Sequence, residues 1–244
     1  MNGLIFLIAV LMALVHMFSA SMKFLDTVPR SRFLSLAGGV AVAYVFVHIL
    51  PELKEHQESF ESSEHLDILS FMEHHAYLIA MLGLVVFYAL ERTVKISRQQ
   101  SQERHGEARP SYGIYRVHMI SFALYNALIG YLLVHRIQET AWNLILFSLA
   151  MALHFVVNDH SLREDHQERY DRRGRWILTA SILIGWGIGM LTEVPELVLA
   201  SLFAFLSGGI LLNVLKEELP EEKQSSLGMF LLGTIGYSMM LLAF

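Results

Sequence analysis

The sequence predicts an all-α polytopic membrane protein with eight transmembrane helices and both termini outside, and three observations carry that prediction. Hydrophobic residues make up 54% of the 244-residue chain and charged residues only 17%, against the roughly 25% charged residues of a soluble domain; mean hydropathy is +0.45. Eight apolar runs approach the length of about 20 residues that carries a helix across a bilayer: 3–22, 33–50, 75–91, 113–134, 141–161, 176–192, 195–215 and 227–244. If the N-terminus lies outside, the loops and flanks on the inner side hold 16 of the 18 Lys and Arg residues, leaving only Lys54 and Arg136 beyond them. That asymmetry is the one expected of cytoplasmic loops. Basic stretches such as RTVKISRQQSQERHGEAR therefore need no nucleic-acid partner.

Taken in order, the first run has no basic residue ahead of it and is longer than the apolar region of a secretory signal, so it reads as a retained transmembrane helix. The second, with its flank, reads LAGGVAVAYVFVHILPEL (36–53), and the seventh reads LSGGILLNVLKEELPEE (206–222). Both pass from a Gly-Gly pair to Leu-Pro-Glu, with proline 13 residues after Gly38 and 12 after Gly208. The two spans run in opposite directions, so spans 1–3 (3–96) and 6–8 (174–244) form an inverted repeat around a central pair (113–162), all within one membrane domain, 1–244. Transporters place substrate sites where such repeats meet. The alternative is that Gly-Gly permits close helix approach and proline ends a helix.

The outer segment that follows span 2, residues 51–75, is acidic and rich in histidine. It could gather cations at an entrance or be an ordinary solvated loop. His48 and Glu52 stand four residues apart and would share a helical face only if the helix ran on past Pro51, which proline opposes. At the end of span 3, Glu91 and Arg92 read as a snorkelling pair at the inner surface. Cysteine is absent, which removes disulfides and thiolate metal sites.

The chemistry concentrates in spans 4 and 5. Ionisable groups at membrane depth are costly and usually face the bundle interior. In LHFVVNDHSLRED (153–165), His154 and Asn158 stack four residues apart on one side of a helix, with Asp159 one position on. Imidazole and carboxylate are ligands for zinc or a similar divalent ion. The competing reading makes His154 a buried hydrogen-bonding histidine and Asp159 the partner of Arg163 at i+4. His118 precedes Tyr125 by seven residues on span 4 and is either an auxiliary residue of the path or an interfacial histidine near Arg116. Tyr125 is a hydrogen-bond donor or a space filler, since a neutral phenol ligates metal poorly.

With these residues in view, the chain resembles the ZIP (Zrt/Irt-like) family of divalent metal transporters along nearly its whole length. The resemblance rests on FVHILPEL (46–53), VFYALER (86–92), LFAFLSGGILLNVLKEELPEE (202–222) and the eight-helix topology. It implies a 3+2+3 inverted-repeat bundle and a central metal site between spans 4 and 5, where the family typically carries HNxxDG or HSxxEG and then HExPHE. Here Tyr125 takes the first histidine position of span 4, Asn126 is kept, Ile129 replaces the acid and Gly130 is kept. On span 5, His154 matches the first histidine, Phe155 and Val157 replace glutamate and proline, Asn158 replaces the second histidine, and Asp159 stands for the last glutamate. The metal residues so implied are His154, Asp159, Asn158 and Asn126, with His118, Tyr125, His48 and Glu52 as auxiliary or entry positions. Two strong ligands and two amides suit one weakly held ion better than a binuclear centre.

The expected function is thus alternating-access transport of a divalent cation, zinc first, across a cell membrane, with the bilayer as partner, no prosthetic group, no nucleic acid and a homodimer left open. No P-loop pattern for ATP is present, so transport would be passive or gradient-coupled. The alternatives are a ZIP homologue that has lost transport for a binding or regulatory role and, last, an intramembrane metal-dependent hydrolase.

Overall fold

The computed structural model describes residues 2–22, 32–61, 75–106, 109–135, 140–218 and 226–243. Among them there are helices and no strands. In chain order these are α1 (Asn2–Phe18), α2 (Arg32–Tyr44), α3 (Leu50–Glu61), α4 (His75–His105), α5 (Tyr112–His135), α6 (Ala141–His166), α7 (Arg175–Leu191), α8 (Glu196–Glu218) and α9 (Leu227–Leu242). Seven continuous helical segments are long and apolar enough to cross a membrane, and α9, apolar over 16 residues, is shorter. The chain is an integral multi-pass membrane protein by this measure, and helix is the structure a lipid interior demands, because each span must satisfy its own backbone hydrogen bonds.

The segment after span 2 departs from expectation. The helix does continue past Pro51: α2 runs through a π-helical turn, Val45–Ile49, directly into α3. The widened turn carries the Leu50 N–H to the Val45 carbonyl. Pro51 then falls in the first turn of α3, where a missing N–H is tolerated. One span of 27 residues, Arg32–Glu58, results. The acidic stretch 62–74 lies outside the described residues.

Helix packing rests on glycine pairs. A Cβ on Gly39 of α2 would stand 2.1 Å from the Phe230 carbonyl oxygen of α9, and one on Gly233 of α9 would stand 2.3 Å from that of Leu36. The same reciprocal approach joins α4 to α8, through Gly83 at Phe205 and Gly208 at Ala80, and α5 to α7, through Gly130 at Ile182 and Gly185 at Ala127. Lipid tails offer helices no hydrophobic reason to associate, so close backbone approach at small residues supplies much of the contact energy. Large apolar side chains such as Leu124, Ile184 and Met239 face outward, as lipid requires.

These pairings leave α5, α6 and α8 central, while α4 is the least buried span, at 22% of its apolar window against 61% for α5. One end of the bundle is tied by basic residues. Arg98 of α4 pairs with Asp165 at the end of α6, Arg169 donates to the Pro110 carbonyl just before α5, and Arg175 at the start of α7 donates to the Met17 carbonyl near the end of α1. The α6-to-α7 reversal is tight: Gln167 adopts φ 50° and its N–H caps Arg163 O, and a second π turn, Tyr170–Gly174, leads into α7.

Replacing Gly185 by leucine should destabilise the protein by about 1–3 kcal/mol or more, as overpacking does. Gly187→Ala, where a Cβ meets nothing within 4 Å, should be neutral or mildly stabilising. Thermal unfolding of both variants in detergent measures the difference; equal melting temperatures would refute the glycine-crossing account.

Candidate functional site

The site begins with the registry of α6. His154 and Asn158 are four residues apart and do share a face: Asn158 Nδ2 lies 3.0 Å from His154 Nε2. Asp159, one residue further, is turned by about 100° on a 3.6-residue helix and looks at different neighbours. The sequence reading of three polar groups on one face therefore divides into two arms. One faces α5, the other faces α1 and the turn before α7.

In the first arm the Tyr125 hydroxyl of α5 stands 2.8 Å from His154 Nε2. In the second, Asp159 meets His16 of α1: His16 Nδ1 lies 2.8 Å from Oδ1 and 3.1 Å from Oδ2. Tyr170, returned to α6 by the tight reversal, donates its hydroxyl to Asp159 Oδ1 at 2.5 Å. The other ring nitrogen of His16, Nε2, is 2.8 Å from Asn126 Oδ1. Because Asn126 Nδ2 donates to the Phe122 carbonyl at 2.8 Å, its amide orientation is set and its oxygen is the atom that accepts. His16 thus faces an oxygen acceptor at each ring nitrogen. Phe155 lies tilted against its ring, 4.6 Å between centroids.

All of these groups are buried: His16, Asn126, His154, Asn158, Asp159, Tyr125 and Tyr170 are each at most 5% exposed. Charges at that depth persist only when paired and hydrogen-bonded. Adjacent residues of α5 join the two arms, Tyr125 holding one and Asn126 the other. A cleft of about 10 Å³ touches Asp159 from the side of Ser19, His160 and Arg163, on the scale of a single water.

The expected residues fare differently. His154, Asn158, Asp159, Asn126 and Tyr125 gather in this cluster. No hydrogen bond links Asn126 to His154 directly; their neighbours connect them. Among the described residues no group of three or more His, Cys, Asp or Glu is arranged to hold a metal ion, so in this conformation the donors hold one another. Asp159 takes His16 and Tyr170 as partners, while Arg163 pairs with Asp171 at 3.1 Å. His118, 1% exposed, has no hydrogen bond to the cluster's residues and sits against His166 and Glu91. Glu91 is no snorkelling surface residue either, being buried and bound to Lys216 at 2.7 Å. His48 and Glu52 pair with each other at 3.4 Å, with His48 stacked on Tyr44, on the span that ends in α3.

Two residues of the cluster escape sequence reasoning. His16 carried a usable signal, an ionisable side chain in the middle of an apolar span. Tyr170 carried none, since the reversal at Gln167 is a tertiary feature.

Removing His16 strands a buried carboxylate. His16→Ala should cost about 3–5 kcal/mol, and the double variant with Asp159→Asn should recover a large part of that, as groups in one network couple. Urea unfolding in mild detergent reads both. Additive losses would refute the pairing.

Compared with family models, curated proteins and solved structures, the chain matches none.

Proposed function

We propose that the protein is a ZIP-like membrane carrier of a divalent metal cation, moving it by alternating access through the buried cluster around Asp159, His154 and His16. The observation that carries this reading is the convergence: polar side chains from α1, α5 and α6, with Tyr170 from the start of the next span, meet inside a bundle whose outer face is apolar. Such groups at membrane depth usually mark an ion pathway. Two imidazoles, a carboxylate and amide oxygens form a donor set of the kind borderline divalent ions take, and zinc is the cargo that the resemblance implies. An arriving cation would compete for Asp159 with His16 and Tyr170.

The packing supports the inverted repeat. Gly39 and Gly208 each cross a partner helix backbone, and each stands 12 residues before a proline, Pro51 and Pro220. The pair α2 with α9 is then the counterpart of α8 with α4. The shared basic end of α4, α5, α6 and α7 supports an inward-facing assignment for that end, with both termini outside. A second reading, a homologue that kept the shape and lost transport, is favoured by one observation: His154 is closed off by Tyr125 and Asn158, and among the described residues no three strong ligands meet.

Uptake of radioactive zinc, manganese and cadmium into proteoliposomes separates the two. Carrier function predicts saturable uptake of at least one ion, abolished by His154→Ala with Asp159→Ala and retained in His48→Ala with Glu52→Ala. Absence of uptake for every ion would overturn it in favour of the second reading, and uptake indifferent to His154 and Asp159 would overturn the cluster as the path.

A further inference from the structure

A second buried chain of titratable groups lies toward the basic end of the bundle, outside the cluster just described. His166, the last residue of α6, and His118 of α5 are each 1% exposed, and Glu91 of α4 is 5% exposed. His166 Nε2 and His118 Nδ1 stand 2.7 Å apart, so one proton lies between them. His118 Nε2 faces Glu91 Oε1 at 3.3 Å, an ion-pair separation that is not in line for a hydrogen bond. The other Glu91 oxygen accepts from Lys216 Nζ of α8 at 2.7 Å, and Lys216 also donates to Ser161 of α6 at 3.2 Å.

The positions of the protons follow from these contacts. A carboxylate beside His118 Nε2 calls for a hydrogen on that nitrogen, since a bare lone pair there would meet negative charge. In the neutral form of His118 that carries this hydrogen, Nδ1 is the acceptor and His166 Nε2 donates to it. This leaves His166 Nδ1 as a lone pair, and that atom is buried with no hydrogen-bond partner. A vacant basic nitrogen heads a line of two imidazoles that ends on a carboxylate, and each imidazole can accept a proton at one nitrogen while releasing one from the other.

We propose that His166, His118 and Glu91 form a proton-binding relay that takes a proton at His166 Nδ1 and delivers one to Glu91. A proton from hydronium at the basic end of the bundle bonds to His166 Nδ1. The Nε2–H bond of His166 breaks as its proton passes to His118 Nδ1, and the Nε2–H bond of His118 breaks as that proton passes to Glu91, whose carboxylate rotates to receive it. One proton has entered, both imidazoles are neutral again with their hydrogens shifted, and Glu91 is a neutral acid. Lys216 then loses its anionic partner on α4, which loosens the tie between α8 and α4.

The other groups facing this line are Arg98 and Asp165, paired to each other at 3.0 Å, Arg169, whose charge acts on His166, and Tyr115, edge-on to the His166 ring at 5.1 Å. Asp165, adjacent to His166, is partly open to solvent. None of the three relay groups hydrogen-bonds to His154, Asn158, Asp159 or Asn126, so the relay stands whether or not the central cluster carries a cation.

Nitrogen NMR of the full-length protein, histidine-labelled with nitrogen-15 and held in lipid nanodiscs, tests the ground state without mutation. At alkaline pH it should show a coupling across the hydrogen bond from His166 Nε2 to His118 Nδ1, together with an unprotonated His166 Nδ1. A hydrogen on His166 Nδ1 at alkaline pH, or no such coupling, overturns the assignment. Infrared spectra after a rapid drop in pH test the transfer. The protonated-carboxyl band of Glu91 should be lost in Glu91→Gln, slowed in His166→Gln and His118→Gln, and unaltered in His135→Gln. A Glu91 band that rises at the wild-type rate in both His118→Gln and His166→Gln overturns the relay.

Discussion

His16 holds the interior of this bundle together by hydrogen-bonding to Asp159 on one side and to Asn126 on the other. Three helices distant in sequence meet at that ring, with α7 brought in through Tyr170. The constraint behind it is the absence of water: within a bilayer no solvent accepts or donates hydrogen bonds, so a polar side chain must find its partners in neighbouring helices. A buried imidazole and carboxyl that satisfy each other and two further groups are therefore a condition on how α1, α5 and α6 are arranged. Moving any of the three by a turn would leave a buried polar group unpaired.

Around this polar interior the packing follows a different rule. Three pairs of helices cross where glycine stands against the partner's backbone. Close contact between small residues sets the spacing of helices, and hydrogen bonds between a few polar residues set their rotation. α4, which exposes much of its surface, is anchored by one glycine seam to α8, by the Glu91 to Lys216 bridge and by Arg98 to Asp165 of α6. Two chemistries separate along α5. Asn126 and Tyr125 serve the central cluster, while His118, two turns away, belongs to the imidazole line toward the basic end.

The membrane class and the span boundaries were legible in the chain because they depend on local composition and length, which the bilayer thickness reads directly. The expected spans match the helices closely, with α4 running further, to His105, beyond the apolar run that ends at residue 91. Pro51 misled for a local reason: a π turn ahead of it relieves the clash that would otherwise break the helix. The residues of α6 were legible as unusual, since polar groups in an apolar span stand out. Their partners were not, because Asp159 and His154 are one helical step too far apart to share a pocket.

By itself the sequence determined that the chain is a helical membrane protein and that His154, Asn158, Asp159 and Asn126 lie in its interior, because hydrophobic length and the cost of burying polarity are properties of short segments. Tertiary structure alone decided that His16 completes the cluster, that His118 leaves it for His166 and Glu91, and that Tyr170 returns to Asp159. Those pairings join residues as far apart as 143 positions, and contacts over such separations arise from helix crossings and from the reversal at Gln167, which no window of sequence encodes.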